Sequence, residues 1–106
     1  MKKFSLIFFK FIFLLNFFIV PAKSDPMFEL GKNIFLNKAA CSSCHVLADA
    51  GSDGQIGPNL NEIRPDKDRI LNAVKNGIGV MPMYEGELTV EEIEAVVYYV
   101  FTSANN

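Results

Sequence analysis

This chain is poor in the side chains that most catalytic and metal sites use. Its 106 residues hold one histidine and two cysteines. Those three cannot build a four-ligand Cys/His zinc site without carboxylates. There is no second histidine, no Ser/His/Asp set and no phosphate-binding loop, so common hydrolytic and nucleotide chemistries have no equipment here. Positive charge is not in excess either: 10 Lys+Arg face 12 Asp+Glu, which argues against nucleic acid as a partner. Beyond residue 24 there is no internal repeat and no low-complexity linker. No stretch of useful length alternates polar and apolar residues as a half-buried strand would. The length allows one domain.

Phenylalanine is abundant but unevenly placed. Seven of the ten Phe lie at positions 4, 8, 9, 11, 13, 17 and 18; only Phe28, Phe35 and Phe101 lie beyond. Met1-Lys2-Lys3 supplies a positive start, and Phe4 to Val20 is an apolar run broken by Ser5, Lys10 and Asn16. Pro21 ends any helix there. Ala22 and Ser24 put small residues at −3 and −1 of a cleavage after Ser24. These features predict an export signal over 1–24 and a mature domain over 25–106. An uncleaved membrane anchor is the competing reading. The run is short for a span of roughly 20 residues, and Lys10 in its middle is costly. Cleavage would remove four lysines and no acid, taking the formal net charge from −2 to −6. The 82 residues left would form an acidic domain with a thin core, which needs a disulfide, a metal or a cofactor to hold it.

The two cysteines and the histidine sit together as Cys41-Ser42-Ser43-Cys44-His45. C-x-x-C-H is the attachment signature of c-type haem. Two thiols three positions apart reach two vinyl groups on one porphyrin edge, and the next residue aims its imidazole at the iron. Export agrees with this, because c-type haem is attached outside the bacterial cytoplasm. Other readings of the pair are weaker. A C-x-x-C disulfide closes a tiny loop and stabilises little. A thioredoxin-like motif needs a βαβ context, and zinc needs further ligands.

Three helical patterns follow from periodicity and capping. The first runs from Met27 to Asn37, with Phe28, Ile34 and Phe35 apolar and Gly31 suggesting a close helix contact. The second runs from about Asp66 to Asn76, between Pro65 and Gly77. The third opens on a Thr89-x-x-Glu92 capping box, with Leu88 and Ile93 as its staple. Ile93, Val96, Val97, Val100 and Phe101 recur along it at helical spacing. Loops 48–54, 57–60 and 77–86 join these patterns. The expected fold is all-α: three to four short helices wrapped around one haem, with long loops supplying its other face.

Four pieces in order carry a family resemblance: Gly31-Lys32-Asn33-Ile34-Phe35, Cys41 to His45, Gly57-Pro58-Asn59-Leu60, and Asn76-Gly77-Ile78-Gly79-Val80-Met81-Pro82. With the ending from Leu88 to Tyr99-Val100, the chain resembles a class I cytochrome c of the small soluble bacterial and algal type, over essentially all of 27–103. The resemblance implies one covalent haem c, with thioethers from Cys41 and Cys44 and His45 as the proximal iron ligand. Pro58 matches the proline whose carbonyl accepts the other ring N–H of that histidine, and Leu60 would pack on the haem face. Gly31 and Phe35 would meet Tyr99 where the first and last helices cross. Phe35 lies six residues before Cys41, where the family spacing is often shorter. One or two extra residues are therefore expected in that link.

The sixth ligand would come from a methionine. Met81, followed by Pro82 as the family's ligand typically is, is preferred. Met83, two residues on, is the alternative, and a haem to which neither binds is the third case, since methionine also fills gaps. With histidine and methionine both bound, the iron would take no substrate. The expected function is a periplasmic single-electron carrier between a dehydrogenase or respiratory complex and a terminal acceptor, not an enzyme. It would be a monomer, free of the membrane after cleavage, with its haem edge ringed by loops near Val46, Ile56 and Met83. Its acidic surface would steer it toward redox proteins with a basic docking patch. A dedicated cytochrome subunit or acceptor of one periplasmic dehydrogenase, oxidising sulfite, sulfide or an alcohol, is the alternative. An open-site haem enzyme or sensor ranks third.

Overall fold

The computed structural model describes residues 25–106; the predicted export signal over 1–24 lies outside the described residues. Four α-helices carry the architecture: α1 (Pro26–Asn33), α2 (Leu60–Ile63), α3 (Lys67–Asn76) and α4 (Val90–Ala104). The all-α expectation holds.

Each helix begins where the sequence places a cap. The Asp25 side chain accepts from Met27 N at 3.0 Å, and Pro26 stands at the first helical position of α1, where its missing N–H costs nothing. Asn59 caps α2 and Asp66 caps α3. Gly77, at φ 74°, ends α3. At α4 the predicted capping box is present in both directions: Glu92 N donates to Thr89 Oγ1 at 3.1 Å and Thr89 N to Glu92 Oε1 at 2.9 Å. That satisfies two helix-end donors reciprocally.

α1 lies across α4 at Gly31. A Cβ there would stand 2.6 Å from Tyr99 Cβ and closer still to the Ala95 carbonyl oxygen, so only glycine permits this crossing. The Tyr99 ring then packs between Phe28, edge-on at 4.9 Å, and Phe35, tilted at 5.7 Å. Such offset pairs add to the area they bury. Phe35, Ile34, Leu47, Val96 and Tyr99 form the fully buried centre.

The extra residues expected before the haem motif take a definite form. α1 does not continue regularly to Asn37; it widens into a π-helical turn over Ile34–Lys38, closed by Ala39 N donating to Ile34 O at 2.9 Å. A π-turn absorbs an inserted residue while keeping the backbone bonded, and here Ile34 and Phe35 both stay buried. Ala40 then adopts a left-handed conformation, φ 52°, and Cys41–Ser43 forms a single 3₁₀ turn.

The structure also contains a small antiparallel ladder, β1 (Val46–Leu47) with β2 (Ser52–Asp53), pairing Val46 with Asp53 and Leu47 with Ser52. Two-residue strands cannot display alternation, which is why the sequence pattern does not show them.

Candidate functional site

A cavity of about 650 Å3 opens between the helices and the loops, within the size range of cofactor pockets. One wall is Cys41, Cys44, His45 and Pro58. The floor is Phe35 with Val96 and Val100 of α4. Ile70 and Val74 of α3 and Met81 of the α3–α4 loop complete it. Five sequence-predicted site residues and the preferred methionine therefore line one chamber: Cys41, Cys44, His45, Pro58, Leu60 and Met81. Met81 is half-buried, whereas Met83 is 55% exposed and does not line the cavity. Ile56, 71% exposed, and Val80, 85% exposed, stand at the mouth.

The histidine is held from several sides. Its Nδ1 is 2.8 Å from the Pro58 carbonyl. A carbonyl can only accept, so Nδ1 carries the proton and Nε2 keeps a lone pair for a metal. Gly57 lies against the ring; a Cβ there would come within 2.8 Å of Nδ1 and 2.9 Å of Nε2. Gly57 N also donates to Cys44 O at 2.7 Å. Ser52 Oγ donates to the His45 carbonyl at 2.9 Å and accepts from Leu47 N at 3.1 Å. Asn61, on α2, accepts from Ala48 N at 2.7 Å. Asp49 takes the Tyr99 hydroxyl at 2.8 Å and pairs with Lys32 at 3.3 Å. The loop from His45 to Pro58 is thus fastened to α1, α2 and α4.

Cys41 and Cys44 are not joined to each other as a disulfide. Burial pushes the Cys41 thiol up to about 11, partly offset by a backbone hydrogen bond and assisted by the neighbouring Cys44. Among the described residues no three His, Cys, Asp or Glu come together as a metal cluster. An apolar cavity with two thiols, one imidazole with a free Nε2 and one thioether fits haem c in both size and donor chemistry.

Sequence reasoning missed Ser52, Asn61 and Asp49, together with Tyr84, whose hydroxyl donates to the Ala39 carbonyl at 3.0 Å. Each lies outside any motif and acts through a contact with a residue 7 to 50 positions away in the chain, so local spacing carries no signal for it.

The fold and this site define a c-type cytochrome. Over residues 27–100 the chain matches the family described as cytochrome c oxidase, cbb3-type, subunit III. It is 35% identical over 82 residues to cytochrome c6 of Euglena gracilis, covering 70% of this chain and 90% of that one. It is 32% identical over 108 residues to cytochrome c6 of Rippkaea orientalis, covering 94% and 91%. The crystal structure of the c-type cytochrome SorU from Sinorhizobium meliloti superposes with a TM-score of 0.73 at 49% identity, covering 78% of this chain and 97% of that one. The chain belongs to the cytochrome c family, as a small monohaem class I member, and is a haem c electron carrier.

Proposed function

We propose that this protein is an exported single-electron carrier whose one haem c is bound through Cys41 and Cys44 and ligated by His45 and Met81. The bound haem supplies a one-electron Fe(III)/Fe(II) couple, raised in potential by thioether ligation and burial. The chain's own residues do the rest. Pro58 and Gly57 fix the tautomer and position of the His45 ring. Leu60, Ile70, Val74 and Val96 make the cavity lining apolar and buried. The observation that carries the reading is that Met81 and His45 line the same chamber while Met83 faces solvent. With His45 and Met81 both holding the iron no position would be left for a substrate, so the ferrous protein is expected to leave carbon monoxide unbound at neutral pH. Binding of the gas by the unmodified protein would instead indicate an open-site enzyme or sensor.

No helix among the described residues is long and apolar enough to cross a membrane. N-terminal sequencing of the exported protein should begin at Asp25, where the side chain caps α1 and receives the Tyr98 hydroxyl at 2.7 Å; a start at Met1 would make the segment an anchor. The partners are redox proteins with basic docking patches, met in small, short-lived contacts. Electron-transfer rates to such a partner should fall with rising salt, because screening weakens steering of an acidic domain. A rate independent of ionic strength would remove the electrostatic part of this reading.

A further inference from the structure

We propose that Tyr84 is a positioning residue: its hydroxyl ties the loop carrying Met81 to the backbone just ahead of Cys41 and thereby keeps Met81 in the cavity. This rests on the reading of Met81 as an iron ligand.

The hydrogen bonds of loop 77–88 divide into two sets. The larger set joins the loop to α3 or to itself. Gly77 N donates to Ala73 O at 2.8 Å, Tyr84 N to Val74 O at 2.9 Å, and Glu85 N to Lys75 O at 3.4 Å. Lys75 and Glu85 also pair at 4.0 Å. Ile78 and Met81 exchange backbone bonds of 3.2 and 2.9 Å, and Glu87 N and Leu88 N donate to Tyr84 O at 3.0 and 2.9 Å. All of these would survive if α3 and the loop swung together away from the cysteines. The second set has one member. Among the hydrogen bonds of the described residues, only that from the Tyr84 hydroxyl to Ala39 O, 3.0 Å long across 45 positions, joins this loop to the segment from Ile34 to His45.

Its anchor is firm. Ala39 N closes the π-turn onto Ile34 O, and the adjacent Lys38 is paired with Glu92 inside the α4 capping box. The phenol is half-buried and its ring lines the cavity against the core. One side chain on the chamber wall thus links the segment leading into the haem motif to the loop bearing the thioether. Loops of this kind open locally without global unfolding. A hydrogen bond made only in the closed state sets how often this one opens.

Opening can be read with imidazole, a small ligand that must displace the methionine to reach oxidised iron. Its apparent dissociation constant scales inversely with the fraction of protein that is open. In the purified oxidised holoprotein, Tyr84→Phe is expected to bind imidazole about fivefold more tightly than the parent, the worth of one hydrogen bond. Tyr98→Phe is the control. It also removes a phenol hydrogen bond, to Asp25 at the N-cap of α1, but Tyr98 does not line the cavity. It should lower the guanidinium unfolding midpoint comparably and leave imidazole affinity unchanged. Equal affinities in the two variants, with the parent's thioether-to-iron absorption band present, would overturn the tether alone. Absence of that band from the parent would overturn Met81 ligation, and the tether with it.

Discussion

Replacing Met81 with alanine is expected to abolish the weak red thioether-to-iron band of the oxidised protein, open the ferrous iron to carbon monoxide and lower the reduction potential. Thioether sulfur is a soft donor that favours the ferrous state, so its loss destabilises reduced more than oxidised protein. A fall on the order of 100 mV is expected, about fiftyfold in the redox equilibrium at roughly 59 mV per decade for one electron. Met83→Ala should change neither band nor gas binding, because Met83 is largely exposed and outside the chamber. The pair of variants discriminates cleanly: a band that survives loss of Met81 and vanishes with loss of Met83 would exchange their roles. The fold itself should persist in both, since neither methionine belongs to the buried centre.

The second large effect concerns the cysteines. In Cys41→Ser/Cys44→Ser the haem is no longer covalently held, and acidified organic solvent should extract it, whereas the parent should retain its haem. The consequence for the fold follows from the size of the chamber. Without the haem, the apolar residues that line this chamber of about 650 Å3 would lose their packing partner. Packing lost around an apolar void costs stability in proportion to its size, while a typical domain has only about 5–15 kcal/mol to lose. The haem-free double variant should therefore lose most of its far-ultraviolet helical signal. Retention of the holoprotein's spectrum without haem would show that the helices hold each other and that the cofactor is no staple. Cys44→Ser alone should keep its haem through the remaining thioether, with the axial ligands unchanged.

Some of the site was legible before any coordinates. C-x-x-C-H states its chemistry in five consecutive residues, because the reach to a porphyrin edge and iron is set by local backbone geometry. The same holds for two helix ends: Asp66 and Thr89 open their helices where the sequence places them, while Asp25 caps α1 just ahead of the expected start at Met27. Gly31 could be read as a contact glycine from its helical surroundings, but its partner Tyr99 came only with the family resemblance, since Ala95 and Tyr99 lie more than sixty positions away. The link before Cys41 was visibly long by one or two residues. That the surplus becomes a π-turn, with Ile34 and Phe35 kept inward, follows from packing against α4 and from nothing local.

The division between the two methionines shows the limit most clearly. Met81 and Met83 differ in sequence by one following proline, and either sulfur is chemically able to bind iron. Which one faces the chamber depends on a loop whose course is set by its bonds to α3 and by the reach of Tyr84 to Ala39. The same is true of Ser52, Asn61 and Asp49, which matter only because folding brings them to the loop after His45. By itself, then, the sequence pointed to haem c, proposed where it attaches and marked the three longer helices, since those signals lie within a few residues of one another. The tertiary structure decided the tautomer of His45, the course of the distal loop and the single bond that ties it to the segment ahead of Cys41. Each of these joins groups far apart in the chain, and their meeting is a property of the packed molecule rather than of any segment.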